Sequence, residues 1–328
     1  MKTVILDGYT ANPGDLSWDF LSEFGEYTVY DYTPADKIVE RALGCDIIIT
    51  NKTPVSAEVM AQLPELKFIA LLSTGFNVID IEYARKHSIP VSNVPAYSTA
   101  AVAQLVFAFI LEYTNKVTMH STAVKEGEWS GCRHFCFWKA PLTELQGKTM
   151  GIFGYGQIGR EVAKIAEAFD MNVLAYSRSC VPGTGDGKTK FVTLDKMLAD
   201  SDFVSLHCPL NAQTEKMVNS EFISKMKPSA FLINTSRGAV IDEQALAQAL
   251  NTGKLAGAGV DVLSTEPPAA DNPLLSCEKC MITPHIAWAG FETRKRLIEI
   301  LTDNIRGFVS GAPRNVVNRQ TRHTDNTY

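Results

Sequence analysis

Short apolar runs alternate with amphipathic stretches through the first 95 residues of the chain. The runs predict β-strands at residues 4–7, 28–30, 47–50, 68–72 and 91–93. Segments between them, such as residues 35–42 and 56–62, carry apolar side chains at helical spacing. This succession of strand, helix and strand predicts a parallel sheet with helices packed on its faces.

Residues 99–119 would be apolar on nearly every face of a helix. Such a pattern is typical of a buried helix, so we predict one continuous helix here that crosses between two masses of protein. The next segment, residues 125–145, is rich in aromatic residues, contains cysteines and has no regular apolar spacing. We therefore predict an irregular connection there.

A second alternating series begins at Lys148. It predicts strands at residues 149–153, 173–176, 203–206, 230–234, 257–262 and 281–283, and a last helix over about residues 292–309. Two such series predict an α/β fold with two Rossmann-like, doubly wound parallel-sheet domains. The length of 328 residues agrees with two domains, because a domain commonly has about 150 residues.

Composition narrows the class of protein. Apolar residues make up 45% of the chain and charged residues 20%, which excludes a disordered chain. The net charge of −5 argues against sequence-independent binding of nucleic acid, which needs a cationic surface. The most apolar stretch, residues 102–111, is too short to cross a bilayer, and the N-terminus reads as a strand and not as a signal peptide. Seven cysteines, an odd number, indicate free thiols in a reducing cytoplasm.

A glycine-rich turn joins the first strand of the second series to a helix, in the sequence TMGIFGYGQIG at residues 149–159. Gly154 would permit the tight turn, Gly156 would let a pyrophosphate approach the backbone, and Gly159 would let the helix pack against the strand. The strand before it and the helix after it favour a dinucleotide site over a turn without ligand. The predicted contacts are Gly154, Gly156, Gln157, Ile158 and Gly159.

The next strand ends in VLAYSRS, without the acidic residue that commonly binds the ribose of NAD. Ser177 stands in its place and Arg178 follows. Because a guanidinium pairs with a 2′-phosphate, this favours NADP over NAD. In the alternative, Arg178 is a solvated loop residue and NAD binds through Ser177.

Four polar residues lie at or just after the ends of strands later in the second series. Arg237 lies in FLINTSRGAVID, Asp261 and Glu266 lie in GVDVLSTEPP, and His285 lies in MITPHIAW. Ligands of open α/β sheets bind at the carboxyl ends of the strands, so these side chains are predicted to meet in one crevice beside the nicotinamide. Each residue alone has an ordinary structural explanation, and the prediction depends on the ordered set.

The set suits the reduction of a 2-oxo acid. Histidine titrates near neutrality, so His285 can be the general acid in reduction and the base in oxidation. Glu266 can hold the other ring nitrogen, fix the tautomer and favour the protonated ring. Arg237 can bind the substrate carboxylate and polarise the carbonyl.

These motifs, in this order after the glycine-rich turn, resemble the D-isomer-specific 2-hydroxyacid dehydrogenases over about residues 1–318. The resemblance implies that Arg237, Glu266 and His285 are catalytic and that Asp261 contacts the nicotinamide amide. It further implies that the nicotinamide pocket is lined by His207, Pro209, Thr235 and Ser236.

The resemblance also implies how the domains are assigned. A discontinuous, flavodoxin-like substrate domain would comprise residues 1–98 and 290–328, and an NAD(P)-binding Rossmann domain would comprise residues 99–289. In the first domain, LLSTGFNVID resembles the family's substrate loop. Ser73 lies there, and the backbone N–H groups of Thr74 and Gly75 would receive the substrate carboxylate. Lys52 would be a substrate contact or, alternatively, a solvated loop lysine.

Within the family, the segments LDGYTANPGDLSW, TNKTPV, FCFWKAPLTEL and HIAW look most like glycerate dehydrogenases, also called hydroxypyruvate reductases. This implies reduction of hydroxypyruvate or glyoxylate to D-glycerate or glycolate. A homodimer is also implied, because family dimers exchange the irregular arm in which Trp138 lies. Trp138 would then approach the partner's active site, or else it is a core aromatic residue.

The sequence also contains one possible metal-binding motif and leaves two other functions open. The CxxC at Cys277 and Cys280 lacks a second ligand pair, so no metal site is predicted. A D-lactate dehydrogenase would keep the mechanism and change the substrate. A dinucleotide-sensing protein similar to the corepressors that share this fold would not need Arg237, Glu266 and His285 together.

Overall fold

The structure is a computed structural model, and it describes residues 1–319. The strands are, in order, β1 (Lys2–Ile5), β2 (Glu26–Val29), β3 (Ile47–Thr50), β4 (Phe68–Leu71), β5 (Val91–Ser92), β6 (Thr149–Phe153), β7 (Asn172–Tyr176), β8 (Gly185–Asp186), β9 (Thr189–Phe191), β10 (Phe203–Leu206), β11 (Phe231–Asn234), β12 (Gly257–Val260) and β13 (Cys280–Ile282). The α-helices are α1 (Ile38–Ala42), α2 (Ala57–Met60), α3 (Ile81–Lys86), α4 (Thr99–Asn115), α5 (Val117–Lys125), α6 (Gln157–Ala168), α7 (Leu194–Asp200), α8 (Ser220–Ser224), α9 (Glu243–Asn251) and α10 (Phe291–Val309). Short 3₁₀ turns cover Asp19–Phe24, Ala35–Lys37, Gly238–Val240 and Pro273–Ser276.

The chain divides into two compact units. The first combines Met1–Tyr97 with the segment that begins at Ala289, and the second is Ser98–Trp288. The predicted boundaries fall within one residue of these positions, whereas the substrate and nucleotide roles of the two parts stay a prediction. The last nine residues of the predicted substrate domain, 320–328, lie outside the described part of the chain.

The first unit contains a five-stranded parallel sheet in the order β2-β1-β3-β4-β5. This is the flavodoxin-like order. All residues of β3 and β4 are buried, as expected for strands with helices on both faces. The C-terminal helix α10 packs beside β4, where Phe308 stacks on Phe68 with ring centroids 4.4 Å apart. The unit is therefore discontinuous in sequence.

The second unit contains an eight-stranded sheet in the order β13-β12-β11-β10-β6-β7-β9-β8. Every neighbouring pair is parallel except the hairpin β8–β9 at the edge. Across the sheet from β9 to β12, the strands follow the Rossmann order. The chain places successive strands on one side of β6 first and then on the other side. The predicted α/β class with two doubly wound parallel sheets is confirmed. The edge hairpin was not predicted, because its short strands lack an apolar run.

The single helix predicted over residues 99–119 is wrong. Helix α4 ends at Asn115, Lys116 adopts a left-handed conformation with φ = 52°, and α5 begins at Val117. A residue in this conformation ends a helix because the next N–H groups no longer point along its axis. Burial is also incomplete, since Ala100, Gln104 and Ala108 form an exposed stripe. The segment predicted as irregular has no helix or strand between residues 126 and 148.

Candidate active site

Two glycines of the glycine-rich turn allow backbone segments to approach each other. Gly154 follows β6 with φ = +97°, and a Cβ there would lie 2.7 Å from the carbonyl carbon of His207. A Cβ on Gly159 would lie 2.3 Å from the carbonyl oxygen of Gly154. These distances are too short for any side chain, so the turn and the seat of α6 against β6 both require glycine.

Gly156 differs because a Cβ there would meet no atom within 4 Å. It is the N-cap of α6, and no side chain caps this helix. The first N–H groups of the helix, which begins Gln157 and Ile158, therefore point away from the helix without an acceptor inside it. Open space, unsatisfied donors and the positive end of the helix dipole fit a pyrophosphate.

A buried hydroxyl at the carboxyl end of β11, two strands from β6 in the same sheet, also fits a bound dinucleotide. Thr235 follows β11, and its Oγ1 is buried without a hydrogen-bond partner among residues 1–319. Buried polar atoms in proteins nearly always have a partner, so this oxygen indicates a group that the protein alone does not supply. Ser236 beside it is satisfied, since its Oγ donates to Asn234 Oδ1 at 2.8 Å.

The strand end predicted to bind the ribose carries no carboxylate. Ser177 Oγ lies 3.2 Å from Ser179 Oγ in the loop after β7. The Arg178 guanidinium donates to Oε1 of Gln213 at 2.8 Å. Gln213 lies in the loop after β10, and no sequence pattern indicates this contact because 35 residues separate the two partners.

His207 follows β10 and hydrogen-bonds through Nε2 to Ser205 Oγ at 2.8 Å. Although some of the residue surface reaches solvent, the imidazole is desolvated, and this lowers the pKa of His207 from 6.5 to about 3. The ring is therefore neutral at physiological pH. Pro209 is exposed two residues later, and its carbonyl accepts from Thr214 Oγ1 at 2.7 Å.

Because the His207 ring is neutral in the folded protein, we expect the protein to lose stability in mild acid. The unfolded chain takes up a proton at His207 below pH 6.5, whereas the folded chain does so only near pH 3. The contribution of the neutral His207 ring to the free energy of unfolding is therefore complete above pH 6.5. It is lost as the pH falls, and the loss reaches about 2 kcal/mol at pH 5. Urea unfolding at pH 7 and pH 5 should show a smaller acid loss in His207→Gln than in the wild type. The exposed His87 provides the control, and an equal loss in His207→Gln and His87→Gln would contradict the prediction.

The turn after β11 positions Arg237 through a fully buried asparagine. Asn234 Oδ1 accepts from the backbone N–H of Ser236 at 3.0 Å, and its Nδ2 donates to the carbonyl of Arg237 at 2.9 Å. The Arg237 side chain is exposed, with one guanidinium N–H donating to the carbonyl of Ser236 at 2.7 Å. A rigid turn thus presents a guanidinium to solvent at the carboxyl end of the strand.

Gly238 brings this turn against the loop after β12. A Cβ on Gly238 would lie 1.9 Å from the carbonyl carbon of Leu263, so only glycine permits the contact. In the same loop the backbone N–H of Leu263 donates to Oε1 of Glu266 at 3.1 Å. The backbone that holds Arg237 therefore touches the backbone that holds Glu266.

Glu266 and His285 form a directly bonded pair. Glu266 Oε2 lies 2.6 Å from His285 Nδ1, and the two side chains are 33% and 26% exposed. A carboxylate accepts here, so Nδ1 carries the proton and Nε2 is left to exchange a proton with a ligand. His285 has a left-handed φ of 56°, and its N–H donates to the carbonyl of Asp261 at 2.8 Å. Uncommon backbone conformations of this kind are held by their surroundings and cluster at functional sites.

Asp261 supplies those surroundings, a role that the sequence did not reveal. Its carboxylate is buried and accepts from Thr283 Oγ1 at 2.6 Å, from the N–H of Ile286 at 2.8 Å and from the N–H of Ala287 at 2.9 Å. These three donors lie on both sides of His285. Asp261 therefore organises the loop that carries His285, whereas its predicted contact with a nicotinamide amide stays a prediction.

In the first unit, the loop after β4 exposes backbone donors. Thr74 Oγ1 donates to the carbonyl of Val94 at 2.7 Å, and Ser73 Oγ donates to the carbonyl of Gly75 at 2.6 Å. Within residues 1–319, the backbone N–H groups of Thr74 and Gly75 have no acceptor. Two successive donors of this kind suit a carboxylate.

The loop that carries Lys52 follows β3 and is organised by Asp7. The buried Asp7 carboxylate accepts from the backbone N–H groups of Asn51 at 2.8 Å, Lys52 at 2.5 Å and Thr53 at 2.8 Å. The Lys52 side chain is exposed. Asp7 is the last residue of the first predicted strand, yet nothing in the sequence shows that its carboxylate binds backbone groups 44 to 46 positions away.

The structure thus gathers the predicted residues in two groups. Arg237, Glu266 and His285 follow β11, β12 and β13, which are adjacent parallel strands and end at the same edge of the second sheet. The cofactor candidates after β6, β7 and β10 lie at that same edge. The substrate candidates after β3 and β4 lie at the carboxyl edge of the first sheet.

The remaining candidates do not form a second reactive centre. Burial raises the pKa of the Cys280 thiol to about 12 and also raises that of Cys277, so both hold their protons at neutral pH. Across residues 1–319, no cluster of three or more His, Cys, Asp or Glu side chains could hold a metal ion. Over the same residues, no helix is long and apolar enough to cross a membrane. The Trp138 side chain is 68% exposed, so within this chain it is not a core residue.

Comparison with known proteins shows similarity over almost the whole chain. A family model described as D-isomer specific 2-hydroxyacid dehydrogenase, NAD binding domain, matches residues 107–287. A hydroxypyruvate reductase of Blautia hydrogenotrophica is 48% identical over 322 residues, which cover 97% of this chain and 100% of that protein. A glycerate dehydrogenase of Methylorubrum extorquens is 38% identical over 318 residues, which cover 96% and 98%. The solved structure of an acyclic imino acid reductase in complex with NADPH and D-Arg is similar with a TM-score of 0.83 and 33% identity, covering 97% of this chain and 100% of that chain.

Proposed function

The chain belongs to the D-isomer specific 2-hydroxyacid dehydrogenase family and is a nicotinamide-dependent oxidoreductase acting on CH–OH groups, and we propose that it reduces hydroxypyruvate to D-glycerate and glyoxylate to glycolate. The observation that carries this proposal is the Glu266–His285 pair, held at 2.6 Å at the sheet edge that also carries Arg237. Relatives named for the reduction of hydroxypyruvate or glyoxylate support the choice of substrate.

In the proposed mechanism Arg237, Glu266 and His285 have different roles. The reduced nicotinamide, when bound, supplies the hydride that the carbonyl carbon receives. The exposed Arg237 guanidinium binds the substrate carboxylate and polarises the carbonyl. His285 gives a proton from Nε2 to the carbonyl oxygen, while Glu266 accepts from Nδ1–H and keeps the ring oriented. In oxidation, the same Nε2 receives the proton of the hydroxyl.

Within the first unit, the proposed substrate contacts are in the loops after β4 and β3. The unsatisfied backbone N–H groups of Thr74 and Gly75 are suited to bind its carboxylate, and Ser73 shapes their loop through its bond to the Gly75 carbonyl. Lys52 adds a positive charge on a loop that Asp7 holds rigid.

NADPH is the proposed cofactor. The end of β7 presents the Arg178 guanidinium and the Ser177 hydroxyl and has no carboxylate to repel a 2′-phosphate. Asp186, the nearest acidic residue beyond this strand in sequence, pairs with Arg160 at 2.6 Å. Charge-assisted hydrogen bonds to a phosphate are stronger than neutral ones, so Arg178 favours the phosphorylated cofactor.

We also place the protein in the cytoplasm as a homodimer. All seven cysteines carry free thiols, which supports a reducing compartment. The exposed aromatic residues Trp129, Phe135 and Trp138 of the irregular segment supply an apolar surface of the kind that a second copy covers. Light scattering of the purified protein tests the dimer, and a monomer at micromolar concentration would contradict it.

A single assay tests the reaction. We expect purified protein to oxidise NADPH with hydroxypyruvate and glyoxylate faster than NADH with either acid, measured by the absorbance of the reduced nicotinamide. Pyruvate serves as the comparison substrate, since an enzyme that binds the 3-hydroxyl of hydroxypyruvate should turn over pyruvate at least tenfold less efficiently. Faster reduction of pyruvate would replace the proposed substrate, and faster use of NADH would replace the proposed cofactor.

A further inference from the structure

Arg178 is tied to a second loop by one hydrogen bond. Its guanidinium NH1 donates to Gln213 Oε1 at 2.8 Å. Arg178 follows β7 and Gln213 lies in the loop after β10, and these two strands flank β6, which leads into the glycine-rich turn. The bond therefore joins the loops on either side of that turn.

The loop after β10 holds Gln213 in a defined position. Asn211 Oδ1 accepts from the backbone N–H of Gln213 at 2.9 Å and from that of Thr214 at 3.2 Å. The Thr214 hydroxyl donates back to the carbonyl of Pro209 at 2.7 Å. Side chains of this type close tight turns by bonding to nearby backbone groups. Gln213 therefore projects from a well-ordered turn, although its side chain is exposed.

The Gln213 side chain that accepts from Arg178 is uncharged, so it leaves the positive charge of the guanidinium in place. Among residues 1–319, Arg178 forms no ion pair with a carboxylate, and the loop from residue 177 to 184 contains no acidic residue. Glu215, the acidic residue of the loop after β10, lies two positions beyond Gln213. An amide oxygen orients a guanidinium without cancelling its charge, whereas a carboxylate would do both.

From this geometry we propose that Gln213 is a positioning residue that sets cofactor choice by holding Arg178 ready for the 2′-phosphate of NADP. The inference rests on the proposed preference for NADPH. Binding costs less when a long cationic side chain is already held in place, so the uncharged brace increases affinity for the phosphorylated nucleotide alone.

The test uses nucleotides that carry no nicotinamide. Adenosine 2′,5′-bisphosphate and adenosine 5′-monophosphate differ only in the 2′-phosphate, and calorimetry gives the dissociation constant of each for the full-length protein. Gln213→Glu should weaken the bisphosphate at least tenfold and change the monophosphate less than twofold, because the new carboxylate neutralises Arg178 and repels phosphate. Gln213→Ala should weaken the bisphosphate threefold or more. The matched control is Gln248→Glu, the same change on the exposed face of α9, which should alter neither constant.

A double variant separates this inference from the proposed cofactor. In an Arg178→Ala background, adding Gln213→Ala should have no further effect, because Gln213 acts through Arg178. If Arg178→Ala itself leaves the ratio of the two dissociation constants unchanged, the proposed preference for NADPH fails. If Arg178→Ala abolishes the difference between the two dissociation constants but Gln213→Glu and Gln213→Ala do not, the proposed role of Gln213 is overturned and the preference for NADPH stands. Weakening of both nucleotides by Gln213→Glu would indicate a damaged loop and would also overturn it.

Discussion

Replacing His285 with alanine is expected to lower kcat for the reduction of hydroxypyruvate by about 10³-fold. A positioned general acid commonly contributes 10²–10⁴ to a rate, and His285 Nε2 is the proposed proton donor. The side chain is partly exposed at the strand end, so its removal leaves no buried cavity and stability should stay within about 1 kcal/mol of the wild type. Steady-state kinetics and the dissociation constant of NADPH, measured together, check this expectation.

The control for this variant is His87→Ala. His87 ends helix α3, stacks on Tyr83 and lies outside the proposed site, so kcat should not change. Loss of NADPH binding in His285→Ala would show that His285 serves the fold of the cofactor site and would contradict a specific role in proton transfer. Turnover within tenfold of the wild type would remove His285 from the mechanism. It would favour a dinucleotide sensor, whose function does not need a proton donor.

The parts of the fold that follow from local pattern were predictable. Strands such as β3 and β4 are unbroken apolar runs because helices cover both faces, and such runs are visible in a sequence. The glycine-rich turn was equally visible, since the tight turn at Gly154 and the seat of α6 at Gly159 exclude other residues. Family motifs then placed Arg237 and His285 after strands, which is where the structure has them.

The parts that depend on distant contacts were not predictable. Asp261 was singled out as a ligand contact, but its carboxylate accepts three hydrogen bonds from a loop 22 to 26 residues away. The contacts of Asp7 with the loop after β3 and of Gln213 with Arg178 were equally unpredictable. No local signal tells which distant group a buried carboxylate or a loop amide will contact. The break at Lys116 was missed for another reason. A non-glycine residue with positive φ leaves no mark in an apolar periodicity.

Among the glycine-to-alanine substitutions of the second unit, each of which adds one methyl group, Gly238→Ala is expected to lower stability the most. Its Cβ would lie 1.9 Å from the carbonyl carbon of Leu263 and 2.1 Å from the carbonyl oxygen. Both atoms are backbone, so no side-chain rotation relieves the clash and one of the two turns must move. We expect a loss of stability of about 3 kcal/mol or more. Since the displaced turns carry Arg237 and Glu266, kcat/KM should also fall at least 100-fold under conditions in which the protein remains folded.

The matched control for this prediction is Gly156→Ala, because Gly156 has open space around its Cβ position and a negative φ of −85°. Urea unfolding should place Gly156→Ala within about 1 kcal/mol of the wild type. Its defect should instead be in affinity for NADPH, weakened at least tenfold because a methyl group would occupy the space proposed for the pyrophosphate. Equal stability of the two variants would contradict the close approach at Gly238. Unchanged affinity in Gly156→Ala would contradict the proposed pyrophosphate position, so the pair separates a glycine that the fold requires from one that the ligand requires.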